Sequence, residues 1–316
     1  MREGRVLRFD IVGVGNPVYD VIVTPWSKTN GRVLSGCSTN ACLAAKKLGV
    51  KKVGLVGCVG KDFAQTFARD MKRHDIEANM DIRAETGGFH LIYDEKGNRT
   101  LDVLGVAGKI GPSSFPKEFL DSAFLLIGPI LGEVDLELIH FLRSESSAKI
   151  FLDPQGLVRT VGDSGRIVHS CDRDTIRRII EVVDFVKPNE QEIETITGEK
   201  DPLVGLQRLR SMGSAVPIVT LAERGSLLLD GDKLYRVPPF ATTHAIDPTG
   251  AGDVYAGSFI TEYTRTGNLS EAALFASAAA SIMVEQIGPD FRLTLKDVQE
   301  RKETICDDLT VQTLTQ

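Results

Sequence analysis

The sequence predicts an α/β protein with a mainly parallel central sheet, helices on both faces, and a small β-rich lid. Short β-rich apolar runs alternate with amphipathic segments along most of the 316 residues, as βαβ units require. That rhythm breaks over 79–103, where short strand-like runs follow one another without helices. A glycine-containing loop-to-helix junction at residues 247–253 marks where such a sheet would bind an anion.

The elements follow in order. Phe9–Val14 reads as a strand, Thr39–Leu48 as a helix ended by Gly49, and Val53–Val59 as a second strand. Phe63–His74 has helical periodicity. Further strands are expected at Phe124–Ile127, Lys149–Leu152, Phe185–Lys187 and Ile218–Leu221, with helices between most of them. Asp81–Arg83, Gly88–Tyr93 and Arg99–Val103, joined by the turn Asp94-Glu95-Lys96-Gly97-Asn98, read as short antiparallel strands. With Asp20–Thr24 they would form the lid. Arg159–Arg173 reads as a polar surface loop. The expectation is one domain over 1–316, with a lid from about 15–35 and 79–105.

Composition bounds the partners. With 37 basic and 43 acidic residues the chain carries −6, which argues against a broad nucleic-acid face. The longest nearly apolar stretch, Ala272–Val284, is short for a membrane span, and the N-terminus lacks the apolar run of a signal peptide. Five cysteines form no CxxC pair, and five histidines show no ligand spacing, so reduced thiols, no structural zinc and a cytoplasmic location are expected.

The densest chemistry lies in Asp247-Pro248-Thr249-Gly250-Ala251-Gly252-Asp253. Pro248 and the glycines resist helix, whereas the residues after Asp253 have helical periodicity. Small residues at a helix start let backbone N–H groups approach an anion, and the helix dipole favours it. A carboxylate beside a phosphate site repels it, so Asp253 reads as a general base accepting a hydroxyl proton during phosphoryl transfer. An ordinary helix start with Asp in its first turn is the alternative for these residues taken alone.

The whole segment resembles the D-T-x-G-A-G-D signature of the ribokinase-like (pfkB) family of carbohydrate and nucleoside kinases, with Pro248 in place of the usual Thr. The resemblance implies a ribokinase-like three-layer sandwich with a β lid. It implies an anion hole at Gly250, Ala251 and Gly252, Asp253 as base, and Asp247 near the substrate or a monovalent cation. Other segments match the family in order. Gly13-Val14-Gly15-Asn16 with Asp20 resembles its first strand and substrate-contacting Asp. Ser35-Gly36-Cys37-Ser38-Thr39-Asn40 resembles its G-G-x-x-x-N segment, with Ser35 replacing the first Gly and with Gly36 and Asn40 toward the substrate. Val56–Asp62 matches G-x-V-G-x-D, read as a tight turn with no catalytic role. Asn189 and Glu192 match N-x-x-E, implying contact with phosphates and with the water shell of Mg²⁺; a helix capping box is the alternative reading. Thr220, Glu223 and Gly225 fall in the nucleotide-binding turn, where Ala222 replaces a common Gly. Ser277 lies in a helix whose small residues would leave room for adenine, or simply pack closely.

The resemblance implies ATP and Mg²⁺ as cofactors and in-line transfer to an alcohol of a small sugar, polyol or nucleoside. Asp153-Pro154-Gln155-Gly156-Leu157-Val158-Arg159 is similar to the D-x-Q-G-x-x-R segment of members resembling myo-inositol 3-kinase. It makes Gln155 and Arg159 substrate-binding candidates and a cyclic polyol the preferred acceptor. A nucleoside, with Phe89 and Tyr93 stacking on a base, and a sugar phosphate bound by Arg99 or Arg159 are the rivals within the family. A non-catalytic sugar- or nucleotide-binding regulator is the rival outside it. No GxxxxGK[ST] loop is present, and Val18 breaks a GxGxxG fingerprint. Exposed lid edges lead to the expectation of a homodimer.

Overall fold

Runs that are apolar at every position, not at alternate ones, belong in a sheet covered on both faces. Val12, Val14, Leu55, Val56, Leu125, Leu126 and Ile150 are all fully buried in such strands. The computed structural model describes residues 8–95 and 99–314. Three residues of the expected turn, Lys96-Gly97-Asn98, lie outside them.

The chain begins with β1 (Phe9–Val14), β2 (Val18–Val23), β3 (Val33–Ser35), α1 (Cys37–Lys47), β4 (Val53–Gly60), α2 (Ala64–Arg73) and β5 (Glu77–Arg83). It continues through β6 (Gly88–Tyr93), β7 (Arg99–Gly105), α3 (Lys117–Leu120), β8 (Ser122–Ile127), α4 (Leu136–Glu145), β9 (Lys149–Leu152), β10 (Arg159–Val161) and β11 (Ile167–His169). Then come α5 (Arg173–Ile180), β12 (Phe185–Val186), α6 (Glu190–Thr197), α7 (Pro202–Ser211), β13 (Val216–Thr220), β14 (Ser226–Asp230) and β15 (Lys233–Val237). The last elements are α8 (Ala251–Thr266), α9 (Leu269–Met283), α10 (Leu295–Ile305) and β16 (Thr310–Thr313).

The main sheet has ten strands in the order β16-β15-β14-β13-β12-β9-β8-β1-β4-β5. It is parallel from β5 to β13 and antiparallel from β13 to β16. One face packs on α1, α2, α8, α9 and α10, the other on α3 to α7. No helix among the described residues is long and apolar enough to cross a membrane. β1 lies between β8 and β4, with β9 beyond β8, so the loops after β1, β8 and β9 open at adjacent strand ends, where ligands bind in such sheets.

The lid is a four-stranded sheet in the order β3-β2-β6-β7. Asp20–Thr24 joins it as expected, but β2 and β6 run parallel, so it is not wholly antiparallel. Asp81–Arg83 is not part of it. These residues end β5, which pairs parallel with β4 from Gly54↔Glu77 to Gly60↔Arg83 and forms the edge of the main sheet. The cause is α2, whose Phe67 and Met71 are buried, so it returns the chain as a crossover and not as a hairpin. The loop expected over Arg159–Arg173 is also corrected. It contains the hairpin β10–β11, closed by Gly162 N–H on the Arg166 carbonyl at 2.8 Å. Its valines, Val161 and Val168, face solvent, so the segment lacks the apolar alternation that marks a strand.

One contact fixes how closely α1 and α8 approach. At Gly257 of α8 an added Cβ would sit 2.2 Å from the Ala41 carbonyl oxygen of α1. Only glycine permits this approach, which brings the starts of α1 and α8 together.

Candidate active site

Helix α8 starts at Gly250, whose φ of +80° turns the chain sharply out of the Asp247–Thr249 loop. The Ala251 N–H bends back to the Pro248 carbonyl at 3.2 Å. Among the described residues no backbone carbonyl takes the N–H groups of Gly250, Gly252 or Asp253. The open N–H groups at this helix start are therefore those of Gly250, Gly252 and Asp253, whereas the Ala251 donor is already engaged. A helix of 16 residues adds its dipole at this end.

Asp253 stands in that first turn. Asn40 Nδ2 of α1 donates to its Oδ2 at 2.9 Å, and Gln155 Nε2 reaches its Oδ1 at 3.5 Å. Burial, and then the nearby Asp153 carboxylate, raises its pKa above the ordinary carboxylate value. The Sγ of Cys37 and the carboxylates of Asp153 and Asp253 lie within 4.8 Å of one another. The cation that balances this cluster is Lys187, whose Nζ is 2.8 Å from Asp153 Oδ2, with both side chains 3% exposed. Burial opposes the Lys187 charge, but Asp153 and Glu192 outweigh it and hold the ammonium above its ordinary value.

The facing side is built from the lid and the start of α1. Asp20, buried in β2, accepts the Phe89 N–H at 2.7 Å through Oδ1. Burial pushes its pKa up to about 6, against hydrogen bonds from Phe89 and Ser35. Gly36 caps α1 beside Asn40, and Gln155 opens a short 3₁₀ turn after β9. Arg159 begins β10 and is 6% exposed; its Nε has no partner, and its Nη1 reaches the Ile130 carbonyl only at 3.5 Å. The lid meets the loop before α8 through Tyr93, whose hydroxyl lies 2.8 Å from Thr249 Oγ1. Asp247 is fully buried; its Oδ1 accepts the Thr249 N–H at 2.9 Å while Oδ2 has no partner.

On the donor side Asn189 and Glu192 form the capping box that was the alternative reading, with both bonds at 2.9 Å. Glu192 is nevertheless buried, and burial and Asp153 raise its pKa. Asn189 also bridges to Thr220 at the end of β13. Gly225 closes the following turn, Glu223 is exposed, and Ala222 adopts φ +51°, the left-handed conformation that the common glycine would take without strain. Ser277 donates to the Pro238 carbonyl at 2.7 Å, so its hydroxyl ties α9 to the chain after β15.

A carboxylate beside open helix N–H groups, with a buried cation behind it and a second buried carboxylate at Asp20, can deprotonate an alcohol and stabilise a phosphoryl group. Comparison with known proteins supplies the family. The pfkB family carbohydrate kinase model matches residues 27–294. The chain belongs to the pfkB family of carbohydrate kinases. A cytidine kinase of Thermococcus kodakarensis is 29% identical over 292 residues, covering 90% of this chain and 99% of that protein. The ribokinase of Thermotoga maritima superposes with a TM-score of 0.76 at 21% identity, over 93% of this chain and 99% of that one. A pyrophosphate-dependent myo-inositol-1 kinase converted into a myo-inositol-3 kinase superposes with a TM-score of 0.78 at 22% identity, over 93% and 99%. This pfkB kinase has the ribokinase-like fold and is a phosphotransferase acting on hydroxyl groups of a sugar or nucleoside.

Within this kinase the structure gathers Asp20, Asn40, Gln155, Arg159 and Asp253 around one cleft. Sequence reading passed over Lys187, Asp153, Cys37 and Thr249 as functional positions, and it read Tyr93 only as a ring that could stack on a base. Lys187 and Asp153 end neighbouring strands, so their positions after the apolar runs of β9 and β12 were the available signal. Tyr93 and Thr249 meet only through the lid.

Proposed function

We propose that this kinase transfers the terminal phosphoryl group of ATP, with Mg²⁺, to a hydroxyl of a small sugar or cyclic polyol, with Asp253 as the general base. The observation that carries the reading is Asp253 itself, held by Asn40 at 2.9 Å beside the open N–H groups of α8. Asp253 accepts the hydroxyl proton as the oxygen attacks. The N–H groups of Gly250 and Gly252 and the Lys187 ammonium stabilise the charge that develops. Asp20, Asn40 and Gln155 orient the polyol, and the lid, latched through Tyr93, excludes water. Mg²⁺, when bound, screens phosphate charge; the acidic, buried Glu192 fits a role in its water shell. The partnerless Asp247 Oδ2 fits a monovalent cation at the base of the anion hole.

A polyol is favoured over a nucleoside because both candidate stacking rings are engaged. Phe89 is 3% exposed in the lid core, and the Tyr93 hydroxyl is bonded to Thr249. The likeness to cytidine kinase keeps a nucleoside as the second reading. A lid-to-lid homodimer is supported by Trp26 and Ile92, 66% and 40% exposed, and the free cysteines fit the cytoplasm. A coupled phosphoryl-transfer assay with ATP·Mg²⁺ across polyols, hexoses, pentoses, nucleosides and their phosphates tests the reading. Turnover confined to nucleosides overturns the polyol. Nucleotide binding without turnover on any acceptor makes the protein a regulator.

A further inference from the structure

The loop over residues 238–247 joins two donor-side elements. At its start it meets the turn after β13: a Cβ added to Gly225 would run into the Val237 carbonyl and sit 2.9 Å from the Pro239 nitrogen. At its end it leads into Gly250 and the open N–H groups of α8. Both neighbours are anchored without it, α8 by the approach of Gly257 to α1 and the turn by the pairing of β13 with β14. The loop itself is held by a polar seam along α9. Ser277, Ser281 and Glu285 recur every four residues there, and so share one helix face. Ser277 donates to the Pro238 carbonyl at 2.7 Å, and Thr242 Oγ1 donates to Glu285 Oε1 at 2.6 Å. Nearer α8, the Ile246 and Asp247 N–H groups both reach the Val284 carbonyl, at 2.7 and 3.1 Å.

Arg301 of α10 braces both sides of this seam. Its Nη1 donates to Ser281 Oγ at 3.0 Å and its Nη2 to Glu285 Oε2 at 2.8 Å. Its guanidinium carbon lies 4.5 Å from the centre of the Phe240 ring. One planar group therefore grips α9 through two donors and the loop through its face, which an ammonium cannot do. The Arg301 and Glu285 side chains are 21% and 23% exposed, so water screens the pair less than it screens a surface bridge. Burial opposes the Glu285 charge, but Arg301 and Thr242 outweigh it and hold the carboxyl below its ordinary pKa.

We infer that Arg301 is a positioning residue for the donor nucleotide, acting from α10 by holding residues 238–242 against α9, where they flank the nucleoside. The phosphates meet N–H groups on elements anchored elsewhere, so the stretch that depends on Arg301 bears on the part of the donor beyond them. The Asp247 end of the loop keeps its bonds to Val284 when Arg301 is lost, and the chemistry at Asp253 is spared. The inference rests on the kinase reading given above, with ATP as donor.

The test compares the wild-type kinase with Arg301→Met and Arg301→Lys, by kinetics with ATP·Mg²⁺ and by calorimetry with ADP and with inorganic tripolyphosphate. Arg301→Met removes both donors and should raise the ATP KM and the ADP Kd about 10-fold. In the same variant kcat, the acceptor KM and the tripolyphosphate Kd should stay within about 2-fold. Arg301→Lys keeps the charge beside Glu285 without the fork and should recover part of the loss. Thr242→Val cuts the loop from Glu285 with Arg301 in place and should reproduce the nucleotide-selective loss, so the test stands even where Arg301→Met misfolds. Equal losses for ADP and tripolyphosphate, or a fall in kcat alone, overturn the inference, because Arg301 then serves the fold as a whole. Unchanged ADP affinity in both Arg301→Met and Thr242→Val overturns it as well. Failure of the kinase reading is seen separately, as absence of Asp253-dependent turnover on every acceptor.

Discussion

Asn40 and Asp253, 213 residues apart in sequence, are joined by a hydrogen bond of 2.9 Å from amide Nδ2 to carboxylate Oδ2. The bond connects α1 to the first turn of α8. It also favours the charged carboxylate, offsetting part of the burial that raises its pKa. Asp253→Asn should lower kcat by at least ~100-fold while calorimetry shows nucleotide binding retained. Asn40→Ala should move the acid limb of the kcat profile to higher pH, since Asp253 then needs a higher pH to ionise.

The same bond depends on how closely α1 and α8 approach. Gly257→Ala places a methyl group 2.2 Å from the Ala41 carbonyl, so the helices must separate. The expected cost is about 1–3 kcal/mol of stability, read by thermal unfolding, with a fall in kcat larger than the change in nucleotide affinity.

Asp20 makes the acceptor site sensitive to pH. Its carboxyl titrates at about 6 in the fold, above the ordinary value. In the proposed role it binds hydroxyls as the anion, so kcat/KM for the acceptor should fall as pH drops through about 6. Stability runs the other way. The fold favours the neutral form, so Asp20's contribution is present below the ordinary carboxylate range and lost as pH rises through about 6. In Asp20→Asn the acid limb near 6 should disappear, along with most acceptor affinity.

Lys187 and Asp153 form a buried ion pair at 2.8 Å. Lys187→Met strands the carboxylate and should destabilise the protein by about 3–5 kcal/mol. Pairing it with Asp153→Leu should restore much of the thermal stability without restoring turnover, which separates the electrostatic role of the lysine from its structural one.

The Tyr93 hydroxyl is the lid's contact with the anion-hole loop. Tyr93→Phe loses about 1 kcal/mol of closure. The acceptor KM should rise several-fold, with an increase in ATP hydrolysis measured without acceptor. Unchanged values for both would show that the lid closes by other contacts.

The strands β1 and β9 were legible at their exact bounds, because apolar runs bounded by polar residues have one reading in a covered sheet. β5 was misassigned because a half-exposed edge strand and a lid strand carry the same pattern, and only the α2 crossover distinguishes them. The hairpin from Arg159 to His169 was missed because its apolar residues face solvent.

What the sequence by itself determined about this kinase was local: strand and helix periods, the glycine-led start of α8, and the order of the motifs that mark the family. These depend on neighbouring residues, whose chemistry is written in adjacent positions. Tertiary structure alone decided the pairing of Lys187 with Asp153, the bond from Asn40 to Asp253, and the seat of Tyr93 on Thr249. Each joins side chains brought from distant segments to neighbouring strand ends and helix starts.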